Sequence, residues 1–505
     1  MANRGRGLYL ALRRRLAASL CAAGLAAVAV GARADVALRE CRLPGLAHSV
    51  QCGEIERPLD PAQPAGARLV VRFAVVPAMA RRKLADPVFV LAGGPGQSAL
   101  AIAPQVSAWL GRLNNRRDLV FVDQRGTGTS TALDCEDSGR EPLSDATDPD
   151  RLVEAMARCR ARLAQTVLAP LGGAAALRGF TTTIAMHDLE AVRLALGADR
   201  INLVAASYGT RAALEYQRLF PQALRRSVLD GVVPPDMALP ASFSTDAQAA
   251  FDAVLAGCER QPACAGAYPA LRADWKALLA RLPLTTMAVD PSSGAPQPLR
   301  LTRDGLLGAV RGPLYAPALA SALPAAIDAA AHGRYDALIG MASLLSPRKG
   351  ASLAMGMHFS VVCAEDLPRL AASTDRPGAD FGDDFARLYA RVCEDWPRGP
   401  VDAAFYRVTP TRSATLLLSG GADPAAPPRH GERVARLLGP RARHLVVAEA
   451  GHGLMGLGCM RDVIYRFIDA TSDDDALAVD AGCLDHVPRP LAFRPVAAAA
   501  SAPSR

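Results

Sequence analysis

Short apolar runs punctuate the chain, and longer amphipathic stretches separate them. Leu69–Val76 (LVVRFAVV), Pro87–Leu91 (PVFVL), Asp118–Val122 (DLVFV), Ile201–Ala205 (INLVA) and Ser227–Leu229 (SVL) are each predicted to be strands. They are too short for helices and rich in β-branched residues. Thr181–Leu196 places Ile184, Leu189, Val192 and Leu196 on roughly one helical face and ends at Gly197; Arg211–Phe220 predicts another helix. Strands with little polar alternation, spaced by helices, predict a mostly parallel α/β sheet covered on both faces.

After Val233-Pro234-Pro235 the pattern changes. Residues 237–408 are rich in Ala and Leu and predict helices, among them Ala247–Cys258, Ala270–Leu282, Pro317–Ala331 and Phe381–Arg391, with a looser Pro-containing stretch at Leu284–Leu301. Strands return at Ala414–Leu418 (ATLLL) and His444–Ala448, with helices at Arg429–Leu438 and Met460–Ala470. A helical insertion within an α/β sheet predicts a cap over the sheet edge. The expected division is core 35–236, cap 237–408, core 409–486 and a loosely ordered Pro- and Ala-rich tail 487–505.

The first 34 residues stand apart. Arg4, Arg6 and Arg13-Arg14-Arg15 precede an apolar run from Leu16 to Val30, and Ala32-Arg33-Ala34 supplies a small-x-small cleavage site. This predicts a signal peptide, 1–34, with the mature chain starting at Asp35 and exported to the periplasm or the exterior. The apolar run is short for a membrane span, so no stable insertion is expected after cleavage. Removing the six arginines of residues 1–34 from the 57 basic side chains leaves 51 against 49 acidic ones. The formal charge of +8 therefore belongs mostly to the leader, and no electrostatic case remains for nucleic acid as a partner.

Ten of the 11 cysteines follow the leader, an even count suited to disulfides in an exported protein. Their spacing suggests sequential pairs: Cys41–Cys52, Cys135–Cys159, Cys258–Cys264, Cys363–Cys393 and Cys459–Cys483. With no CxxC and no HExxH, zinc is disfavoured, and neither a metal nor another cofactor is expected.

The chemistry centres on Ala205-Ala206-Ser207-Tyr208-Gly209, where a strand gives way to a helix. Such a turn holds a nucleophile above the sheet edge if the residues two before and two after it are small. Asp423 follows the strand ATLLL, and His452 lies between Gly451 and Gly453 just past the last strand. The order Ser, Asp, His at strand ends predicts a catalytic triad of Ser207, Asp423 and His452, with Asp230 as the alternative acid. Tyr208 N–H and Gly94, in the loop Gly93-Gly94-Pro95-Gly96, are the expected oxyanion donors. That loop lacks the G-K-[ST] of a phosphate-binding loop.

Taken together, Gly93-Gly94-Pro95-Gly96, Asp123-Gln124-Arg125-Gly126, Ser207-Tyr208-Gly209-Thr210-Arg211 and Gly451-His452-Gly453 resemble the proline iminopeptidase and tripeptidyl aminopeptidase family of α/β-hydrolases. The resemblance spans about residues 60–485 and implies removal of amino-terminal residues from peptides under a helical cap. Ala92 stands where intracellular proline iminopeptidases usually have His, and Ala205 where the elbow usually has Gly. The cysteines and the long cap lean toward the secreted tripeptidyl branch. Exopeptidases of this kind need an acidic group for the free ammonium, and Glu365 and Asp366, beside Cys363, are the candidates. A secreted esterase or lipase would use the same triad, and a peptide with an acetylated N-terminus separates the two readings. A non-catalytic binding module on the same scaffold would fail to label at Ser207 with a fluorophosphonate. Haloalkane dehalogenases and epoxide hydrolases require Asp at the elbow, where this chain has Ser207.

Overall fold

A computed structural model describes residues 36–135, 149–291, 293–344 and 353–494. The leader lies outside the described residues. The apolar runs form strands β1 (Arg39–Cys41), β2 (Val50–Pro58), β3 (Arg68–Val76), β4 (Val88–Leu91), β5 (Leu119–Val122), β6 (Ile201–Ala206), β7 (Leu224–Asp230), β10 (Ala414–Gly420) and β11 (Ala442–Val447). They make one sheet in the order β1-β2-β3-β5-β4-β6-β7-β10-β11. The strands from β5 to β11 run parallel, and β1, β2 and β3 form an antiparallel edge.

The side chains of β4 and β5 explain their unbroken hydrophobicity. Phe89, Leu91, Val120 and Val122 enter the core on one face of the sheet. Val88, Val90, Leu119 and Phe121 enter the core on the other. A strand covered on both faces has no solvent side on which to place polar residues. The covering helices include α1 (Ala99–Trp109), α2 (Thr182–Ala195), α3 (Tyr208–Leu219), α8 (Pro428–Leu438) and α9 (Met460–Asp469), with α4 to α7 in the insertion described next. This is the expected α/β-hydrolase architecture.

The insertion has two parts. The first, from α4 (Leu239–Arg260) past α5 (Arg303–Leu314) to Met341, has its own core around Phe251, Trp275, Leu306, Val310 and Ile327. Within it, Leu284–Leu301 is an antiparallel hairpin, β8 (Leu284–Val289) with β9 (Pro296–Leu301), where the sequence suggested only a loose stretch. The predicted helix Pro317–Ala331 is broken into Pro317–Ala320 and Leu323–Ala331, with Pro324 in the first turn of the second piece. The second part packs on the main core: Met357 and Phe359 of α6 (Met355–Val361), then Cys363, then Tyr389 and Cys393 of α7 (Asp384–Glu394).

Disulfides join Cys41 to Cys52, Cys135 to Cys159, Cys258 to Cys264, Cys363 to Cys393 and Cys459 to Cys483. The start of the Pro- and Ala-rich tail is not loose. Arg489 donates to Ala253 O at 3.0 Å, and Phe493 N–H donates to Ser321 O at 2.9 Å. No helix among the described residues is long and apolar enough to cross a membrane.

Candidate active site

Three parallel strands end at one point, and their ends build the site. β6 ends at Ala206, Ser207 forms the turn, and α3 starts at Tyr208. Ser207 takes φ 54° and ψ −127°, a region that non-glycine residues occupy only under constraint. The constraints are visible. Ser207 N–H donates to Asp230 O at 2.8 Å. Thr210 Oγ1 donates to Ser207 O at 2.7 Å and accepts Val233 N–H at 2.8 Å. A Cβ at Gly209 would lie 2.5 Å from Leu91 O, so this position tolerates only glycine. Ala205, two residues before the serine, is fully buried in register with Leu91 and Leu229. Its methyl is accommodated in the core.

Asp423 follows β10 and is enclosed. Its Oδ1 accepts Ala425 N–H at 2.8 Å and Ala426 N–H at 2.9 Å, and its Oδ2 accepts His452 Nδ1–H at 2.7 Å. Burial alone would raise its pKa, but the charge of His452, the hydrogen bond between them and the two peptide N–H groups hold it below the usual value. Burial pushes the His452 imidazole toward the neutral form. The Asp423 charge and hydrogen bond outweigh that and raise its pKa, with Asp230 adding to the effect.

Asp230 does a different job from the one considered for it. Its carboxylate accepts Leu454 N–H, at 2.9 Å and 2.7 Å to its two oxygens, and Met455 N–H at 2.9 Å. It therefore clamps the loop that carries His452, while burial raises its own pKa to about 6. A Cβ at Gly231 would lie 3.0 Å from His452 Cε1. The dipeptide Asp230-Gly231 thus bonds Ser207 N–H through the Asp230 carbonyl and leaves room for the His452 ring beside Gly231, which brings the candidate nucleophile and base to one place. No hydrogen bond from Ser207 Oγ to His452 is present among the described residues. Such bonds commonly tighten only when substrate is bound.

Gly93 lies against the nucleophile, since a Cβ there would meet Ser207 Cβ at 3.0 Å. Gly94 has φ 110°, which favours glycine, and a Cβ there would meet Gly96 N at 2.6 Å. Gln97 Oε1 accepts Gly93 N–H at 3.0 Å. Tyr208 N–H is the first of α3, where helix geometry leaves the donor without an intrahelical partner. These positions suit Gly94 and Tyr208 to stabilise an oxyanion on a carbonyl attacked by Ser207.

His358, on α6, was not singled out in the sequence. It is buried, and burial lowers its pKa, so it is neutral. Its Nδ1 donates to Pro95 O at 3.1 Å and its Nε2 accepts the Tyr389 hydroxyl at 2.9 Å, an assignment made because a carbonyl can only accept. The insertion thereby braces the oxyanion loop, and Ala354 N–H adds a bond to Gly96 O at 2.9 Å. No local motif marks His358; only its partners reveal the role.

Glu365 and Asp366 require a correction. They are 1% and 0% exposed, and the protein's own donors occupy them. Asp366 makes a two-pronged pair with Arg211, 3.0 Å at each oxygen, and accepts Leu239 N–H at 3.0 Å. Glu365 accepts Thr182 N–H at 2.7 Å and the Thr182 hydroxyl at 2.9 Å, and Thr182 Oγ1 in turn lies 2.6 Å from the Tyr208 hydroxyl. These carboxylates support the elbow helix from behind and are not open to a substrate ammonium. Burial raises the Glu365 pKa to about 7.

A family model described as TAP-like protein matches residues 378–478, which contain Asp423 and His452. The chain is 28% identical over 446 residues to the serine protease Hip1 of Mycobacterium tuberculosis, covering 79% of this chain and 80% of that protein. It is 31% identical over 216 residues to a tripeptidyl aminopeptidase of Streptomyces lividans, covering 41% of this chain and 40% of that protein. It is 31% identical over 204 residues to the putative hydrolase YuaR of Escherichia coli, covering 39% and 38%.

Proposed function

We propose that the chain is an exported serine aminopeptidase of the proline iminopeptidase and tripeptidyl aminopeptidase kind, working through an acyl-enzyme on Ser207; its α/β-hydrolase fold, the TAP-like match and the likeness to a serine protease and a tripeptidyl aminopeptidase support this reading. In this reading His452 takes the proton of Ser207 as the hydroxyl attacks the scissile carbonyl. Asp423 fixes the imidazole by its hydrogen bond to Nδ1 and stabilises the imidazolium. Gly94 and Tyr208 N–H hold the oxyanion. His452 then gives the proton to the departing amine, and water, activated by the same imidazole, releases the acyl group.

The observation that carries the choice of exopeptidase is the attachment of the insertion to both sides of the triad. Tyr315 O accepts His452 N–H at 2.9 Å, and the Tyr315 ring lies 5.2 Å from the imidazole. On the other side, Ala354 and His358 hold the oxyanion loop. Helices fixed at both margins of the nucleophile favour a chain end over the middle of an extended chain. The tripeptidyl relative favours release of three residues over one. Export is supported by the basic, apolar leader and the five disulfides.

The test is a panel of aminoacyl and tripeptidyl fluorogenic amides, each with a free and an acetylated N-terminus. Free-amine tripeptidyl amides are expected to be cleaved and their acetylated forms rejected. Equal cleavage of both forms, or hydrolysis confined to simple esters, would overturn the aminopeptidase reading.

A further inference from the structure

The insertion also brings to the site a cation with no carboxylate partner among the described residues. Arg311 lies near the end of α5. Its guanidinium sits 4.2 Å from the ring centre of Phe243, 5.3 Å from that of Tyr315 and 5.9 Å from that of Phe385. Nη2 donates to the Tyr315 hydroxyl at 2.8 Å. Nε is buried and makes no hydrogen bond, and no carboxylate lies within ion-pair distance of Arg311 among the described residues. Arg369, half-buried over the Tyr406 ring with its Nε also unbonded, shares this pattern away from the triad, whereas several buried arginines differ. Arg125 has Asp188, Arg211 has Asp366, and Arg117 has Asp86 and Asp469.

The position of Arg311 gives this departure meaning. Tyr315 edges the catalytic imidazole. Phe385 lies 4.7 Å from Tyr389, whose hydroxyl reaches His358, which holds Pro95 of the oxyanion loop. Arg311 is thus set in an aromatic arc that runs from His452 to the glycine loop, and its charge opposes protonation of His452. Aromatic faces offset part of the cost of withdrawing a guanidinium from water. They do not supply the planar acceptor that its fork of donors matches, which is a carboxylate.

We propose that Arg311 forms a carboxylate-binding subsite, so that the enzyme prefers peptides bearing a carboxylate close to the scissile bond. This rests on the peptidase reading for its substrate. The carboxylate has two sources: an Asp or Glu side chain within the released segment, or the terminal α-carboxylate of a short leaving peptide.

The test compares kcat/KM within matched pairs. One arm uses tripeptidyl fluorogenic amides with Glu or Gln at each of the three positions. The other uses tetrapeptides with a free or an amidated C-terminus. In the wild type, the acidic member of at least one arm is expected to be favoured about tenfold or more, the worth of roughly 1.4 kcal/mol. That ratio should fall to about one in Arg311→Met and in Arg311→Gln, whatever the absolute rates, and be partly retained in Arg311→Lys. A ratio near one in every wild-type pair, or a wild-type ratio that survives in Arg311→Met or Arg311→Gln, would overturn the proposal. If neutral peptides are cleaved without acid preference, the subsite fails and the aminopeptidase reading stands. If no peptide is cleaved, the same ratio is read on p-nitrophenyl hydrogen succinate against p-nitrophenyl butyrate, and the subsite stands or falls on that.

Discussion

In the proposed mechanism Ser207 depends on its backbone as well as its hydroxyl. The positive φ is held by the carbonyl of Asp230, by Thr210 and by a glycine at 209 that no other residue can replace. His452 is held twice, by Asp423 at the ring and by Asp230 beneath its loop. The raised pKa of His452 means that activity is present above that pKa and lost as pH falls through it, because only neutral imidazole accepts the serine proton. In Asp423→Asn the acid limb of the kcat/KM profile should move to lower pH, with kcat reduced on the order of 10⁴-fold. An unmoved limb with a small loss of rate would exclude Asp423 as the triad acid. Glu365 tests the correction made above. Its carboxyl binds a proton more tightly in the folded chain, with a pKa of about 7, than its ordinary value of 4.5. Its stabilising contribution is therefore complete below the ordinary value and is lost as pH rises through about 7. Glu365→Gln should gain Tm relative to wild type as pH rises from roughly 5 to 8, while KM for a free-amine peptide stays unchanged. A large rise in KM would return Glu365 to substrate binding.

At the scale of elements, the second part of the insertion depends on one cross-link. Cys363, in the π-helical segment Val362–Asp366 that follows α6, joins Cys393 of α7 over a separation of 30 residues. A loop of that length implies about 3–4 kcal/mol from restricting the unfolded chain. The double variant Cys363→Ser/Cys393→Ser should lower Tm and loosen the hold of His358 on the oxyanion loop, reducing kcat more than it raises KM. Denaturant unfolding and steady-state kinetics together check this; unchanged stability would contradict it. The sheet strands and their order of chemistry were legible in the sequence because buried parallel strands are short, apolar and bounded by glycine or aspartate, as Pro87–Leu91 and Ala414–Leu418 show. Helix α1 was not foreseen. Gly93-Gly94-Pro95-Gly96 reads as a loop, and Pro104, a residue that argues against a helix, lies inside the helix that follows it. The hairpin β8–β9 was obscured by its prolines at 296 and 298. The triad order could be read directly, whereas His358, Arg311 and the enclosure of Glu365 depend on contacts between segments far apart in the chain. Local pattern carries no trace of those contacts.

The whole molecule places one nucleophile under helices that grip both the base loop and the oxyanion loop. The first 34 residues account for most of the formal charge, and the rest of the chain is close to neutral. On the proposed reading, substrate selection rests on the local arrangement beside His452: the Tyr315 edge, the aromatic arc and the Arg311 guanidinium, which has no carboxylate partner among the described residues. The most direct test of the central claim is to trap the intermediate. Acid-quenching the enzyme during turnover of a free-amine tripeptidyl amide and measuring intact mass should reveal an adduct of one tripeptidyl acyl group. Peptide mapping should locate it on Ser207, and the acetylated substrate should leave no adduct. A protein that turns the substrate over with no adduct in any quench, or with an adduct on another residue, would contradict the account.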